Sequence, residues 1–219
     1  FYHVISEKTK NDLKKLTDKK IVSIPFWINQ DNWFNIKEKD QLRKEFGIST
    51  KDNLIGSFQR DTEGADLTSP KLIKGPDIFF EIVQDIYKEN KNTRVILTGT
   101  RRQYLIGKLE ESGIPYNYYE MVDISLLNKL YNTLDLYLVT SRLEGGPQAI
   151  LECAITKTPI LSTNVGVAPE ILHKDAIFKP DNFDQAELKT EYAYKQSQNY
   201  NIPKGMKNFL SMFEEAYEG

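Results

Sequence analysis

From about residue 52 onward, short apolar runs alternate with longer segments of helical periodicity, and this alternation constrains the fold most. The segments with helical spacing begin near Gly75, Arg101, Asp123 and Pro147, and the apolar runs between them are NLIGSF, TRVILTG, PYNYYEMV, DLYLVTS and TPILSTN. Short strands separated by helices of ten or more residues are typical of βαβ units. Strands buried on both faces of a parallel sheet are evenly apolar. We therefore predict an α/β fold, a Rossmann-like, doubly wound parallel sheet with helices on both faces.

The chain on either side of this region has a different pattern. Residues 3–27 indicate a short strand, a lysine-rich helix and a second strand, followed by a polar loop to about residue 40. A polar loop is also predicted at 61–75, and two helical segments are predicted in 182–200 and 203–219. For the lysines between Lys8 and Lys20, a solvated helix face is favoured over contact with anionic lipid.

Charge and composition exclude several classes of protein. Lys plus Arg number 29 and Asp plus Glu 31, for a formal net charge of -2, whereas nucleic-acid-binding proteins normally carry a basic excess. The single cysteine, Cys153, excludes an internal disulfide and is predicted to be a buried thiol, and His3 and His173 have no partners at zinc-ligand spacing. No apolar run approaches the ~20 residues of a membrane span, and no signal peptide is visible. Because the chain begins with Phe1, we expect it to be a piece of a longer protein.

The stretch SRLEGGPQAILE, residues 141–152, has the composition of an anion site at the start of a helix. Gly146 is predicted as the N-cap and Pro147 as the first helical residue, where the missing N–H of proline costs nothing. The backbone amides of Gln148 and Ala149 then lack helical acceptors and carry partial positive charge. Gly145 and Gly146 would let a ligand approach the backbone closely.

Two carboxylates flank this predicted anion site, and carboxylates accept hydrogen bonds from hydroxyl groups. Glu144 precedes the two glycines and Glu152 lies inside the helix. Taken alone, Glu144 could cap its own helix and Glu152 could be a solvated helical residue. The whole pattern instead favours a ligand with a phosphate in its middle and hydroxyls on both sides, the shape of a nucleotide sugar.

Two cations occur in loops that lead from predicted strands into helices. Arg60 follows the strand LIGSF, and Lys74 ends the stretch LIK before a predicted helix. Each alone would be an ordinary surface cation, but together they can neutralise a diphosphate. Because the sequence has no Asp-x-Asp element, we predict that this neutralisation needs no metal and that the protein uses no cofactor.

Residues 52–172 resemble the C-terminal, donor-binding domain of the family 4 retaining glycosyltransferases, which have the GT-B fold. The strongest match is TSRLEGGPQAILECAITKTPILSTNVGVAPEIL, which is similar to the family's Glu-x7-Glu element and its Gly-x-x-Pro-Glu loop. The resemblance implies that Glu144 holds hydroxyls of the transferred sugar and Glu152 those of the ribose. It further implies that Arg60 and Lys74 hold the distal phosphate, and that the base lies against the backbone near Val122.

The same resemblance implies a division of the chain into three parts. Residues 1–35 would be the end of an acceptor-side domain with the interdomain linker, residues 36–183 the donor-binding domain, and residues 184–219 helices that cross back toward the first domain. The acceptor, a glycan, lipid or protein, would bind to the missing N-terminal domain, so the chain alone is expected to transfer no sugar. The family usually has glycine where Lys157 and Val167 stand.

The predicted function is therefore transfer of a sugar from a nucleoside-diphosphate sugar, with retention of configuration, as one half of a hexosyltransferase. Two alternatives remain from the residues: a non-catalytic nucleotide-sugar binding module, and a GT-B relative such as a nucleotide-sugar epimerase. We expect no nucleic-acid partner. We also expect a cytoplasmic location with membrane contact that is at most peripheral, at the inner membrane.

Overall fold

The structure is a computed structural model that describes residues 1–218; Gly219, the last residue of the predicted C-terminal segment, lies outside the described residues. Within residues 1–218 the strands are β1 Tyr2–Val4, β2 Ile21–Ser23, β3 Asn53–Ser57, β4 Thr62–Glu63, β5 Ser69–Pro70, β6 Thr93–Thr98, β7 Tyr116–Tyr119, β8 Leu136–Val139, β9 Ile160–Thr163 and β10 Ile177–Phe178. The α-helices are α1 Glu7–Leu13, α2 Lys39–Glu45, α3 Pro76–Glu89, α4 Gln103–Glu111, α5 Ile124–Thr133, α6 Gln148–Thr156, α7 Ala168–Ile171, α8 Thr190–Ser197 and α9 Lys207–Glu218.

Six of these strands form one parallel sheet in the order β10-β9-β8-β3-β6-β7. The chain leaves β3 toward one edge through β6 and β7, then returns to the other side of β3 and continues outward through β8, β9 and β10. This is the order of a doubly wound sheet. The predicted Rossmann-like fold class is confirmed, and the sheet has one strand, β10, that the sequence pattern did not indicate.

The central strands form the middle of the hydrophobic core. Leu54 and Ile55 of β3 and Val95, Ile96 and Leu97 of β6 are all 0% exposed, so neighbouring residues that point to opposite faces are buried alike. Burial on both faces is the reason these strands are continuously apolar rather than alternating. The prediction that Cys153 is buried is confirmed, and its burial raises the pKa of the thiol well above its ordinary value.

The helix that follows β7 begins where the sequence predicted. Asp123 is its N-cap, and its carboxylate accepts a hydrogen bond from the backbone amide of Leu126 at 2.7 Å. An acceptor at this position satisfies one of the amides that have no partner inside the helix. The start of α5 is thus fixed by a single side chain.

Several predicted boundaries are wrong. The lysine-rich helix ends at Leu13, well before Lys20. The helical segment predicted at 182–200 is divided into a 3-10 helix at Pro180–Gln185 and α8, because the backbone at Ala186 is extended. The predicted loop 61–75 contains a short antiparallel hairpin, β4 with β5, and a 3-10 turn at Leu72–Lys74.

The first and last parts of the described chain pack against each other. Strands β1 and β2 form a separate two-stranded parallel sheet. Ile24, which follows β2, is buried together with Phe209 and Met212 of α9. In the part of the chain that the structure describes, no helix combines the length and the apolar content needed to cross a bilayer.

Candidate functional site

The strand order leaves a crevice at the carboxyl ends of β3 and β8. The segments that follow these adjacent strands lead away in opposite directions, since β3 continues toward β6 and β8 toward β9. Open α/β sheets bind ligands in this crevice. The loop after β3 carries Arg60 and the loop after β8 carries Glu144, so both lie where the topology favours a ligand.

The structure brings Lys74 and Glu144 together as an ion pair. The Lys74 ammonium donates a hydrogen bond to Glu144 Oε1, and the hydroxyl of buried Ser141 donates to the same oxygen at 3.1 Å. The two side chains are only 26% and 13% exposed, so the pair lies partly inside the crevice rather than on an open surface. A phosphate and a sugar hydroxyl arriving here would meet a cation and an acceptor side by side.

The 3-10 turn that carries Lys74 lies directly against the end of β8. Gly75 has a φ of 64°, and a Cβ at this position would be 1.9 Å from the carbonyl oxygen of Thr140, so only glycine fits. The Thr140 hydroxyl donates to the Gly75 carbonyl at 2.8 Å, and the Gln59 side-chain amide donates to the Lys74 carbonyl at 3.1 Å. The backbone around Lys74 is therefore fixed by both neighbouring loops.

Helix α6 begins one residue later than predicted. Pro147, not Gly146, is the N-cap: its ψ of 116° is extended and its carbonyl accepts the first helical hydrogen bond, from the amide of Ile150. The amides of Gln148 and Ala149 precede that bond, so the predicted pair of amides at the helix start is retained.

The two glycines before this helix are closely packed. A Cβ on Gly146 would lie 2.9 Å from the Ile5 side chain, and a Cβ on Gly166, whose φ is 46°, would lie 2.6 Å from the Gly145 carbonyl oxygen. Packing within the chain itself therefore leaves no room for a side chain at Gly166 and little at Gly146, whereas a Cβ on Gly145 would make ordinary contact with Ile5 at 3.4 Å. The prediction that Gly145 and Gly146 let a ligand approach the backbone stays a prediction.

Glu152 lies one and a half turns into α6 with its carboxylate half-buried. Its Oε2 accepts a hydrogen bond from the Tyr131 hydroxyl at 2.7 Å. Burial raises the pKa of Glu152 to about 7, with the Tyr131 hydrogen bond acting in the opposite direction. Tyr131 packs against Trp33, Phe58 and Tyr137, with ring centroids 5.7, 4.7 and 5.4 Å away. These four rings form an aromatic floor beside Glu152, whose carboxylate can accept hydrogen bonds from the hydroxyls of a ligand.

Arg60 and Val122 are separate from the Lys74–Glu144 pair. Arg60 is exposed in the loop after β3, where its Nε donates to the Thr62 carbonyl at 2.9 Å. Among the side chains of residues 1–217, no carboxylate forms an ion pair with Arg60. Val122 is half-buried after β7, two strands from β3, so a ligand reaching both would have to span the carboxyl ends of three strands.

A buried ion pair that the sequence pattern did not indicate lies beneath these loops. Arg102 Nε lies 2.6 Å from Asp61 Oδ2, with the two side chains 0% and 2% exposed. The Arg102 guanidinium also donates to the carbonyls of Ser57 and Thr98, the last residues of β3 and β6. Arg102 therefore fastens the ends of two strands to the loop next to Arg60. The signal available in the sequence was an acidic residue, Asp61, after one strand and an arginine, Arg102, after the neighbouring strand.

Within the described residues, no group of three or more His, Cys, Asp or Glu side chains is placed to hold a metal ion.

Comparison with known proteins identifies the family. The model of the family described as Glycosyl transferases group 1 matches residues 38–207. The chain belongs to this family. Protein CapJ of Staphylococcus aureus is 26% identical to the chain over 155 residues, which are 67% of the chain and 36% of CapJ.

Solved structures that share this fold belong to longer chains. Sucrose-phosphate synthase from Thermosynechococcus elongatus superposes with a TM-score of 0.78 at 12% identity, covering 99% of this chain and 58% of the other. Anabaena Alr3699/HepE, solved in complex with UDP-glucose, superposes with a TM-score of 0.78 at 14% identity, covering 97% and 63%. The parallel sheet matches one Rossmann-like half of their GT-B fold. The group 1 chain thus spans between a third and two thirds of the length of these relatives.

Proposed function

We propose that this group 1 chain is the donor-binding half of a family 4 retaining glycosyltransferase. It would move a sugar, of the hexosyl type, from a nucleoside-diphosphate sugar to an acceptor held by the remainder of the protein. The observation that carries the proposal is the Lys74–Glu144 pair at the carboxyl end of β8, beside the start of α6. A cation and a hydroxyl acceptor are thus paired on the loop that leads to the free amides at the start of α6.

In this proposal the leaving diphosphate is stabilised by positive groups fixed in place before the reaction. Lys74, Arg60 and the amides of Gln148 and Ala149 neutralise the charge that develops as the bond to the sugar breaks. Groups fixed by the fold stabilise this charge without reorganising during the reaction, and several of them act together in a crevice that excludes part of the water. The neutralisation needs neither a metal nor a cofactor.

The two glutamates hold the two ends of the donor. Glu144 accepts hydrogen bonds from hydroxyls of the transferred sugar and so orients the reacting carbon. Glu152 accepts those of the ribose, and the base lies near the backbone at Val122. Because Alr3699/HepE is solved in complex with UDP-glucose, uridine is the first base to test.

The proposal divides the chain as the resemblance implies. Residues 1–35 belong to the acceptor side and its linker, residues 36–183 form the donor domain, and residues 184–219 return toward the missing part. The acceptor is a glycan, lipid or protein, no nucleic acid takes part, and the reaction proceeds in the cytoplasm with membrane contact at most peripheral.

Titration calorimetry of the chain with UDP and UDP-glucose tests the proposal. Both ligands are expected to bind in the presence of EDTA, because Lys74 and Arg60 supply the positive charge. Binding that disappears on chelation would refute metal independence. Binding of no nucleoside diphosphate, whichever base is offered, would refute the donor-binding role.

A further inference from the structure

Arg142 connects the two segments that carry the ion pair. Its guanidinium makes a two-pronged contact with the Asp77 carboxylate at 2.8 and 2.6 Å, in the first turn of α3. The same guanidinium donates to the Leu72 carbonyl at 2.7 Å, and the Arg142 backbone amide donates to the Ile73 carbonyl at 2.9 Å. One residue of the β8 loop thus contacts the turn before Lys74 and the helix after it.

We propose that Arg142 is a positioning residue, which together with Asp77 holds the Lys74 turn against the Glu144 loop at the separation that the donor requires. This inference rests on the proposed function, since it assigns Lys74 and Glu144 to the donor.

The geometry favours a positioning role over a general contribution to stability. The side chains of Arg142 and Asp77 are 45% and 27% exposed, and ion pairs this exposed usually add little to the free energy of unfolding. A two-pronged contact between guanidinium and carboxylate nevertheless fixes the relative orientation of its partners. Here it fixes the backbone on both sides of Lys74, whose long, flexible side chain cannot fix its own position.

The two segments run past each other in opposite directions. Gly75 lies beside Thr140, Lys74 beside Ser141 and Ile73 beside Arg142, through hydrogen bonds at each step. The end next to Gly75 is secured by close backbone packing, and the end next to Ile73 is secured by Arg142. Without the Arg142 side chain, this end would be held only by backbone hydrogen bonds to Ile73, which would allow Lys74 to move further from Glu144.

The side chains of Arg142 and Asp77 are both charged at neutral pH. The hydrogen bond from Arg142 lowers the pKa of Asp77, and the hydrogen bond to Asp77 raises the pKa of Arg142. The contact between them is therefore present across the pH range in which a donor would be bound.

Four variants test the role: Arg142→Gln, Asp77→Asn, the two combined, and Arg94→Gln as a matched control. Arg94 pairs with Asp52 at 2.9 Å near the amino-terminal ends of the strands, on the side of the sheet away from the crevice. In UDP titrations, Arg142→Gln and Asp77→Asn are each expected to weaken binding about tenfold. The double variant should weaken it no further, because the two substitutions remove the same contact. The Arg94→Gln chain should bind UDP as the wild type does.

Amide hydrogen exchange gives a readout that does not depend on any ligand. The amides of Lys74, Gly75 and Arg142 are hydrogen-bonded to the backbone of these two segments. Their exchange should accelerate in the Arg142→Gln and Asp77→Asn chains but not in the Arg94→Gln chain.

Four outcomes would contradict the inference or its basis. If Asp77→Asn binds UDP normally while Arg142→Gln does not, Arg142 contacts the ligand itself and the positioning role is wrong. If the exchange of these amides is unchanged, the role is wrong as well. A wild-type chain that binds no nucleoside diphosphate would refute the proposed function, whereas wild-type binding with unaffected variants would refute the positioning role alone.

Discussion

Glu144 and Glu152 stand in different surroundings although they belong to the same short stretch of sequence. Glu144 pairs with Lys74 at the mouth of the crevice, whereas Glu152 is hydrogen-bonded to Tyr131 on an aromatic floor. The proposed function assigns the first to the sugar and the second to the ribose. Their removal should therefore affect different ligands.

We expect Glu152→Ala to weaken UDP and UDP-glucose alike, because both contain the ribose. Loss of a charged acceptor costs about 1.5–3 kcal/mol, or roughly ten- to a hundredfold in affinity. Glu144→Ala should weaken only UDP-glucose; UDP should bind at least as tightly as before, because Lys74 loses its internal partner. Calorimetry with both ligands measures this. Equal weakening of both ligands by both substitutions would contradict the assignment, and Glu191→Ala, at an exposed residue, is the control.

The raised pKa of Glu152 predicts a pH dependence of stability. Because its pKa is about 7 in the folded chain and 4.5 ordinarily, the folded chain holds this proton more tightly than the unfolded chain. The free energy of unfolding should therefore fall as pH rises between these two values, by at most about 3 kcal/mol at about 1.4 kcal/mol for each pKa unit.

Glu152→Gln, which cannot ionise, should remove this component. Urea denaturation of both chains between about pH 4.5 and pH 8 measures the difference, which should grow in favour of the variant as pH rises. Parallel pH profiles for the two chains would show that Glu152 does not titrate in this range.

At the scale of the elements, the loop after β3 depends on the buried Arg102–Asp61 pair. Removing one partner of a buried pair leaves an uncompensated charge and typically costs about 3–5 kcal/mol. Asp61→Ala should therefore lower the free energy of unfolding by about this amount, while Asp66→Ala, at an exposed hairpin residue, should change it much less. Urea denaturation measures the free energy of unfolding of both variants. Similar losses in the two variants would mean that Arg102 finds another partner.

The elements also show which features the sequence could predict. Strands β3, β6, β8 and β9 are apolar runs buried on both faces, so composition alone indicated them. Strand β10 has two residues, too few for a periodic signal, and it forms by pairing with β9. Helix α2 was not predicted, and its first two residues fell in the predicted polar loop. Its buried Arg43 bonds to the Thr133 carbonyl and to Asp135, about ninety positions away, where no local pattern could indicate the contact.

The candidate site likewise has some features that the sequence could predict and others that it could not. The helix start after Gly146 and the two glutamates could be predicted, because they belong to one local pattern. The contact of Lys74 with Glu144 could not, since seventy positions separate the two residues and only the fold brings them together. The packing of Gly146 against Ile5 depended likewise on the path of the first residues. The predicted roles of Arg60 and Val122 remain predictions.

For the whole molecule, the central claim is that the crevice at the carboxyl ends of β3 and β8 binds a nucleoside-diphosphate sugar. A chemical-shift map of the backbone amides, recorded with UDP-glucose in EDTA, tests it most directly. We expect the largest changes at Lys74, at Gln148 and Ala149, and around Glu152. We also expect Lys74→Ala to weaken binding at least tenfold. Changes confined to other surfaces, or none at saturating ligand, would contradict it.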